Sequence, residues 1–384
     1  MSTWKRAFLI FETAAMLLLC TGCWNYRDIE KTTIVAGMAV DKGTNGHKYH
    51  MTYEVLSFSG GNEQSVESSL LSSDGDTVFE AIRRAVNMAD KKLYFSNCNL
   101  VIVSKDVAKE GVAPLMDFLI RDAETRITTM FVVSDEAAAA DILSVKLKTK
   151  EPVAFKIRGE LEQSRDSLGH ILPVPLFQMY NILSSSIQDL TLPCVAIEKV
   201  GDNPQPKLTL NAVFKGDKLA GYMPGEDALY YLVMKNKIKS GLLMTGIPYG
   251  EKDITLEIFK SEAKLTPIVN GNDVTMKIKI KMLAGIGEES AKQQHYGAGD
   301  GNLKLIESTA SRTLKEGTER LIADMQGGFD ADVLGFGEKV KRDQYRQWVK
   351  TSRDWEKMFP EVKCDVEADV MIASTGVAYP KEGA

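Results

Sequence analysis

The chain has 384 residues, of which 44% are hydrophobic and 26% charged, and its formal net charge is −5 at pH 7. This ordinary composition excludes a disordered, collagen-like or coiled-coil protein, and the acidic balance argues against a nucleic-acid-binding protein. Five cysteines are too few for a disulfide scaffold. The length favours about two to three domains.

The first 22 residues have the pattern of a bacterial lipoprotein signal peptide. Lys5 and Arg6 precede an apolar run from Ala7 to Leu19, which is shorter than the ~20 residues that a membrane span needs. Gly22 and Cys23 follow as in a lipobox. The sequence therefore predicts cleavage before Cys23, with a diacylglycerol and an acyl chain on this residue. An uncleaved N-terminal anchor is the alternative, and in both cases the chain faces away from the cytoplasm.

Residues 23–200 are predicted to form one or more N-terminal α+β domains. Val, Ile, Tyr and Phe favour strands, and an apolar spacing of three and four residues favours helices. In chain order, the predicted elements are strands at 32–41 and 48–58, a loop at 60–76, a helix at 77–91, a strand at 99–104, a helix at 112–121, a strand at 128–134, a helix at 135–143, helices across 158–190 and a strand at 191–200.

Residues 201–206 (GDNPQP) are predicted as a linker, because Gly, Asp, Asn and Pro favour loops. Residues 207–376 are predicted as the C-terminal α+β part, divided near 240–250, and 377–384 as a tail. In the C-terminal part, the predicted elements are strands at 207–214 and 218–223, a helix at 225–237, strands at 253–260, 263–269 and 273–284, helices at 302–326 and 343–359, and a strand at 362–374. The predicted fold is α+β, with two to three domains, mostly antiparallel sheets and helices packed on one side.

Motifs for chemistry are weak throughout the sequence. His47 and His50 are three residues apart at a hairpin, where their side chains point to opposite faces, so they do not predict a metal site. The run Gly335-Phe336-Gly337 lacks the third glycine of a dinucleotide-binding loop. The glycine-rich run 297–301 is not followed by the Lys-Ser/Thr of a P-loop. We therefore predict no catalytic residue, no cofactor site, no metal site and no enzymatic activity.

Cysteine spacing points to structural thiols. Cys98, Cys194 and Cys364 remain after cleavage and lipidation, and no CxxC pair exists among them. We predict that these three residues are buried and reduced. The charge cluster from Arg121 to Arg126 is predicted to form local ion pairs or a network that fixes its helix to the next strand.

Several segments together resemble the Ger(x)C family of spore germination lipoproteins. Each segment is short, but they occur in order and with family-like spacing from about Cys23 to Thr375. The segments that carry the resemblance are Cys23 to Glu30 (CWNYRDIE), Ile34 to Lys42 (IVAGMAVDK), Leu115 to Arg126 (LMDFLIRDAETR), Asn211 to Gly221 (NAVFKGDKLAG), Asp330 to Gly337 (DADVLGFG), and the aromatic residues Trp348, Trp355 and Phe359.

The resemblance implies three α+β domains and the role of C subunit in a spore nutrient germinant receptor. Such a receptor has A and B subunits that are integral to the spore inner membrane, and the lipoprotein lies on the outer face of that membrane. Trp24, Arg27 and Asp28 directly follow the anchor, so they are candidates for contacts beside the membrane, with a solvated tether as the alternative. A lipid-anchored solute-binding protein and a cell-wall hydrolase are the rival hypotheses.

Overall fold

The computed structural model describes residues 32–44, 46–59, 65–167, 169–185, 187–246, 254–271, 273–289, 300–351 and 354–374, with residues 3–5, 7, 8, 12 and 13 near the start. These residues form two β-sheets with helices packed against them. None of the described helices is long and apolar enough to cross a membrane.

The first sheet is mixed. Its strands are β1 (Thr32–Lys42), β2 (Tyr49–Ser59), β3 (Ser65–Gly75), β4 (Lys92–Tyr94), β5 (Leu100–Val103), β6 (Met130–Ser134), β7 (Thr191–Val200), β8 (Asn203–Lys215) and β9 (Lys218–Met223). They are ordered β3-β2-β1-β5-β6-β7-β8-β9, with β4 beside β1. The central strands β1, β5, β6 and β7 pair in parallel, and both flanks are antiparallel.

Helices cover both faces of this first sheet, because parallel neighbours need crossover connections. The helices are α1 (Val78–Met88), α2 (Lys105–Glu110), α3 (Ala113–Arg121), α4 (Ala139–Leu143), α5 (Val153–Ser167) and α6 (Leu176–Ser185). Val101 and Val103 point into a core with α1, α2, α3 and α6. Leu100 and Ile102 point the other way, into a core with α4 and α5. The strand β5 is therefore apolar at every position.

The second sheet has the order β10-β11-β12-β13. Its strands are β10 (Leu242–Thr245), β11 (Ile254–Asn270), β12 (Asp273–Glu289) and β13 (Lys363–Ser374), and its helices are α7 (Ala228–Met234), α8 (Asp300–Ala323), α9 (Phe336–Asp343), α10 (Tyr345–Thr351) and α11 (Trp355–Met358). The helices lie on one face, where Met276, Ile278 and Ile280 are buried. The other face exposes charged side chains such as Lys279, which pairs with Glu367 at 2.8 Å.

The predicted α+β class with mostly antiparallel sheets is confirmed. Helices pack on one side of the second sheet, as predicted, but on two sides of the first. The one-sided packing of the second sheet could be predicted from the alternating pattern of β12, because alternation of apolar and polar residues indicates one solvated face. The short apolar strands of the first sheet carry no such indication of which helix covers them.

Several predicted elements differ from the structure. Residues 201–206 are not a linker, because Val200 pairs with Asn203 across the turn of the β7–β8 hairpin. The predicted loop at 60–76 contains the strand β3, whose serines form a flat edge beside β2. The predicted strands 253–260 and 263–269 are one strand, β11, with a bulge after Ile258. Pro204 and Pro206 in β8 and the serines of the edge strand β3 obscured two of these elements.

The predicted helix at 343–359 is divided into α10, α11 and a final turn at Phe359–Glu361. Two sheets and three hydrophobic cores are present among the described residues. The division into three domains that the resemblance implies stays a prediction.

Candidate functional site at the domain junction

The residues predicted to carry the membrane anchor fall outside the structural description. Cys23, Trp24, Arg27 and Asp28 are not among the described residues, nor are residues 297–299 of the glycine-rich run. Their roles therefore stay predictions.

The two hairpin histidines lie beside separate carboxylates. His47 Nδ1 is 3.0 Å from Asp76 Oδ1, and His50 Nδ1 is 2.8 Å from Asp74 Oδ1. Across the described ranges, no group of three His, Cys, Asp or Glu side chains is placed to hold a metal ion. The geometry gives each histidine a local hydrogen bond to a carboxylate at the edge of the first sheet.

Cys98 and Cys194 are buried, and Cys364 is half-buried. Burial raises the pKa of each thiol to about 12, so the reactive thiolate is absent near neutral pH. The prediction of three buried thiols is confirmed for the first two residues and in part for the third.

The charge cluster at the end of α3 forms exposed ion pairs, as predicted. Arg121 pairs with Asp117 one helical turn earlier at 2.9 Å, and Lys92 pairs with Glu124 at 2.9 Å. The second pair joins the cluster to β4, on a different element from α3. Water screens exposed pairs of this kind, so they contribute little to stability.

The densest set of buried polar contacts lies where the two sheets meet. Leu172, Val213 and Met223 come from the first sheet and its connections, yet they pack into the core of the second sheet. At the same boundary, the hydroxyls of Thr191 and Tyr231 are 2.8 Å apart and buried. The junction is therefore a packed and hydrogen-bonded interface within one chain.

Asp332 is the centre of this junction. Its carboxylate oxygens accept hydrogen bonds from the backbone N–H groups of Gly335 (2.8 Å), Phe336 (2.8 Å) and Gly337 (2.7 Å). The indole N–H of Trp355 donates a fourth hydrogen bond at 3.1 Å. Burial raises the pKa of Asp332 to about 6, although these four donors act in the opposite direction.

The two glycines after Asp332 are required by geometry. Gly335 has φ +80°, a left-handed conformation that side chains disfavour. At Gly337, an added Cβ would lie 2.6 Å from Ile187 Cγ2 and 2.6 Å from Trp355 Nε1. The GFG run therefore lets the start of α9 wrap around a carboxylate of its own chain.

Asp189 connects this loop to the first sheet. Its carboxylate accepts hydrogen bonds from the N–H groups of Gly216 and Asp332, both at 2.7 Å. Lys215 lies 3.9 Å from Asp189 and also donates to the backbone carbonyl of Asp330. The turn between β8 and β9 is thus held against the Asp332 loop by charged and backbone contacts together.

A cavity of about 410 Å³ opens between the end of α7, β11 and α9, next to the loop that contains Leu334 and Gly335. Lys235 lines it, and its ammonium donates to the carbonyls of Val333 (3.2 Å) and Leu334 (3.4 Å). Burial lowers the pKa of Lys235 to about 8, against the attraction of Asp332. The other lining residues are Gln188, Met234, Asn236, Glu262, Ala263, Lys264, Leu265, Leu334, Gly335, Glu338, Lys339 and Arg342.

Most polar groups of this junction form hydrogen bonds or ion pairs with other groups of the same chain. Lys339, which lines the cavity, pairs with Asp343 on its own helix at 2.7 Å. The carboxylates of Asp332 and Asp189 accept hydrogen bonds from backbone N–H groups. Neither carboxylate is paired with a nucleophilic side chain in the way that a catalytic base is. The arrangement links the two sheets, and the small polar cleft beside it lies within the second half of the chain, with Gln188 at its border.

The role of Asp332 was missed from the sequence, although a local signal existed. Asp is a preferred residue for accepting hydrogen bonds from the N–H groups at a helix start, although Asp332 lies three residues before the N-cap, Gly335. The GFG run was interpreted only as an incomplete cofactor loop. Asp189 had no local signal, because its partner Asp332 is 143 residues away in sequence.

The fold and junction define a class of protein: a two-sheet α+β chain whose sheets are linked by hydrogen-bonded carboxylates. Two known family models match the chain, and the boundary between them lies in the β7–β8 hairpin of the first sheet. Residues 25–197 match the family described as spore germination protein N-terminal domain, and residues 211–376 match spore germination B3/GerAC-like, C-terminal. The chain belongs to the Ger(x)C family of spore germination proteins.

Full-length relatives share this organisation. Spore germination protein KC of Bacillus subtilis (strain 168) is 23% identical over 397 residues, covering 97% of this chain and 97% of that protein. Spore germination protein B3 of the same organism is 22% identical over 372 residues, covering 94% and 96%. The crystal structure of the GerBC protein has a TM-score of 0.56 and 18% identity, covering 88% of this chain and 97% of the other, which supports the fold.

Proposed function

We propose that this chain is a non-enzymatic, lipid-anchored subunit of a spore nutrient germinant receptor. It acts with integral membrane A and B subunits, on the outer face of the cytoplasmic (spore inner) membrane. The observation that carries the proposal is the match of both halves of the chain to spore germination domains, over nearly its whole length. A second support is the lipobox-like sequence that ends at Cys23.

The geometry of the junction supports a coupling role. Asp189 accepts the backbone N–H of Asp332, and the carboxylate of Asp332 in turn holds the start of α9, so this chain of hydrogen bonds connects the first sheet to a helix of the second. A lipid at Cys23 confines the subunit to the plane of the membrane and raises its effective concentration beside its partners. No bound substrate is needed for this role.

The junction cavity gives less support to a solute-binding function. Its volume falls within the range of ligand pockets, which are usually lined mainly by apolar side chains. Here the lining is largely charged or amide, and Lys235 and Lys339 already have partners within the chain. A hydrolase would need a carboxylate pair free to act on substrate, and the junction carboxylates are occupied by backbone donors.

The anchoring is tested with spores that carry the wild type, Cys23→Ala or the control Cys364→Ala. Labelled palmitate is expected to enter the wild type and the control, but not Cys23→Ala. Membrane pull-down of the wild type is expected to recover two integral membrane proteins, and nutrient germination is expected to fail in Cys23→Ala. Normal membrane retention and normal germination in Cys23→Ala would refute the anchoring, and a pull-down without membrane proteins would refute the receptor role.

A further inference from the structure

Several exposed apolar side chains lie at one edge of the first sheet. The strands β1, β4, β5 and β6 are parallel neighbours, so they all begin at the same edge. We call this the amino edge: the starts of these four strands, the connections that lead into them, and the first turns of α6, which are hydrogen-bonded to the connection before β6. Thr32 begins β1 here, so the segment that joins the sheet to Cys23 leaves from the amino edge.

Four large apolar side chains at the amino edge are exposed. Met88, at the end of α1, is 62% exposed, and Ile127, before β6, is 57% exposed. Phe177 (43%) and Tyr180 (41%) lie in the first turns of α6. The N–H of Phe177 donates to the carbonyl of Ile127 at 3.0 Å, so this part of the patch is contiguous across two elements.

The charges at the amino edge balance. Arg121 lies close enough to Tyr180 to interact with it electrostatically, and it pairs with Asp117. The charged side chains of the connections around β4 and β6 are four cations and four anions: Lys91, Lys92, Arg121 and Arg126, with Asp90, Asp117, Asp122 and Glu124. The chain as a whole carries −5, so this edge avoids the acidic excess that anionic lipid headgroups would repel.

The connection to Cys23 is short. Nine residue steps separate Cys23 from Thr32, and even a fully extended chain covers only ~3.5 Å per residue, about 30 Å in total. A lipid at Cys23 therefore holds the amino edge within roughly one domain diameter of the bilayer.

We propose that the amino edge is the membrane-facing surface of this protein, and that its occupant is the lipid headgroup region of the bilayer. Ile127, Phe177 and Met88 enter the interface, and Tyr180 lies at headgroup level, where aromatic side chains with a polar end are favoured. The inference rests on the proposed lipid at Cys23. The edge supplies the second, weaker attachment that fixes which side of the protein faces away from the membrane.

A second exposed apolar group provides the matched control. Met244 and Met371 lie on the solvent face of the second sheet and are 47% and 50% exposed. They are similar in size and exposure to the residues of the amino edge, but they belong to the other sheet. The proposal predicts that they stay in water.

The test uses the full chain with one added cysteine, at Ile127→Cys, Phe177→Cys, Met244→Cys or Met371→Cys, labelled with an environment-sensitive fluorophore. The protein is placed in phosphatidylglycerol–phosphatidylethanolamine vesicles with brominated acyl chains. We expect about twofold quenching at 127 and 177, because interfacial groups insert ~5–10 Å, and none at 244 and 371. Equal quenching at all four positions, or none at 127 and 177, overturns the proposal.

The same labels separate this inference from the anchoring. Mass spectrometry of the purified chain detects the lipid at Cys23. Quenching of the fluorophore reports whether the labelled position enters the bilayer interface. A lipidated chain without quenching at 127 and 177 overturns the amino edge and leaves the anchor. An unlipidated chain whose labels at 127 and 177 are quenched on added vesicles overturns the anchor and supports the amino edge.

Discussion

The two sheets of this protein bury their side chains differently. In the first sheet, helices lie on both faces, and consecutive residues Val101 and Ile102 of β5 are both fully buried. In the second sheet, helices lie on one face, so Ile280 of β12 is buried while its neighbour Lys279 is exposed. The parallel centre of the first sheet requires crossovers on its faces, and the antiparallel hairpin of β11 and β12 does not.

The difference also appears in how carboxylates are used. In the first sheet, Glu54 is fully buried and accepts hydrogen bonds from the N–H groups of Val153 (2.7 Å) and Ala154 (2.8 Å) at the start of α5. On the second sheet's open face, Glu367 pairs with Lys279 in water. A carboxylate in the first sheet holds a helix in place, whereas one on the open face mainly contributes solubility.

The largest expected effect comes from changing consecutive residues in each sheet. Ile102→Ala and Val101→Ala should lower the free energy of unfolding by about 3 and about 2 kcal/mol, because both leave cavities. In β12, Ile280→Ala should cost about 3 kcal/mol, and Lys279→Ala less than about 0.5 kcal/mol. Urea denaturation followed by circular dichroism measures all four.

Within each strand, the two substitutions are at neighbouring positions whose side chains point to opposite faces. Each variant is therefore the control for the other variant of its strand. A small effect at either Val101 or Ile102 would show that one face of the first sheet is not closed. A large effect at Lys279 would show that the open face of the second sheet is packed.

A smaller effect is expected from Glu54→Gln. Glutamine keeps the shape of the side chain but has one oxygen, so one buried N–H of Val153 or Ala154 loses its acceptor. The expected cost is about 2 kcal/mol in the free energy of unfolding. Glu67→Gln, at an exposed position of β3, is the matched control and should change stability by less than about 0.5 kcal/mol. Equal effects of the two substitutions would contradict the capping role of Glu54.

The smallest effect is a pH dependence at the junction. Asp332 has an ordinary pKa of 3.8, which burial raises to about 6 in the folded chain. The folded state then binds this proton more tightly than the unfolded state. The stability linked to Asp332 is therefore complete below about pH 4 and is lost as the pH rises through about 6.

Comparison with Asp332→Asn, which cannot titrate, isolates this contribution. Between about pH 5 and pH 7.5, the wild type should lose about 1 kcal/mol of stability relative to the variant. Denaturation at several pH values measures the difference, with Asp365→Asn on the open face as the control. A difference between wild type and Asp332→Asn that stays constant over this range, or grows in favour of the wild type, would contradict the assignment.

Much of the fold could be predicted from local patterns. The alternation of Val274, Met276, Ile278 and Ile280 identified β12 and its open face, and the apolar face of α8 identified the long helix. The strand β3 was missed because its serine-rich sequence is typical of a loop. It forms a strand because β2 offers a free edge beside it.

The sequence by itself determined the α+β class, the one-sided second sheet and the family, and it predicts an anchor at Cys23, because these depend on composition, period and short motifs. Only the tertiary structure decided the parallel centre of the first sheet, the β7–β8 hairpin in place of a linker, and the partners of Glu54 and Asp189. The physical reason is distance along the chain. Glu54 accepts a hydrogen bond from a helix that begins 99 residues later in the sequence. No local pattern predicts which buried N–H group will donate to a carboxylate so far away.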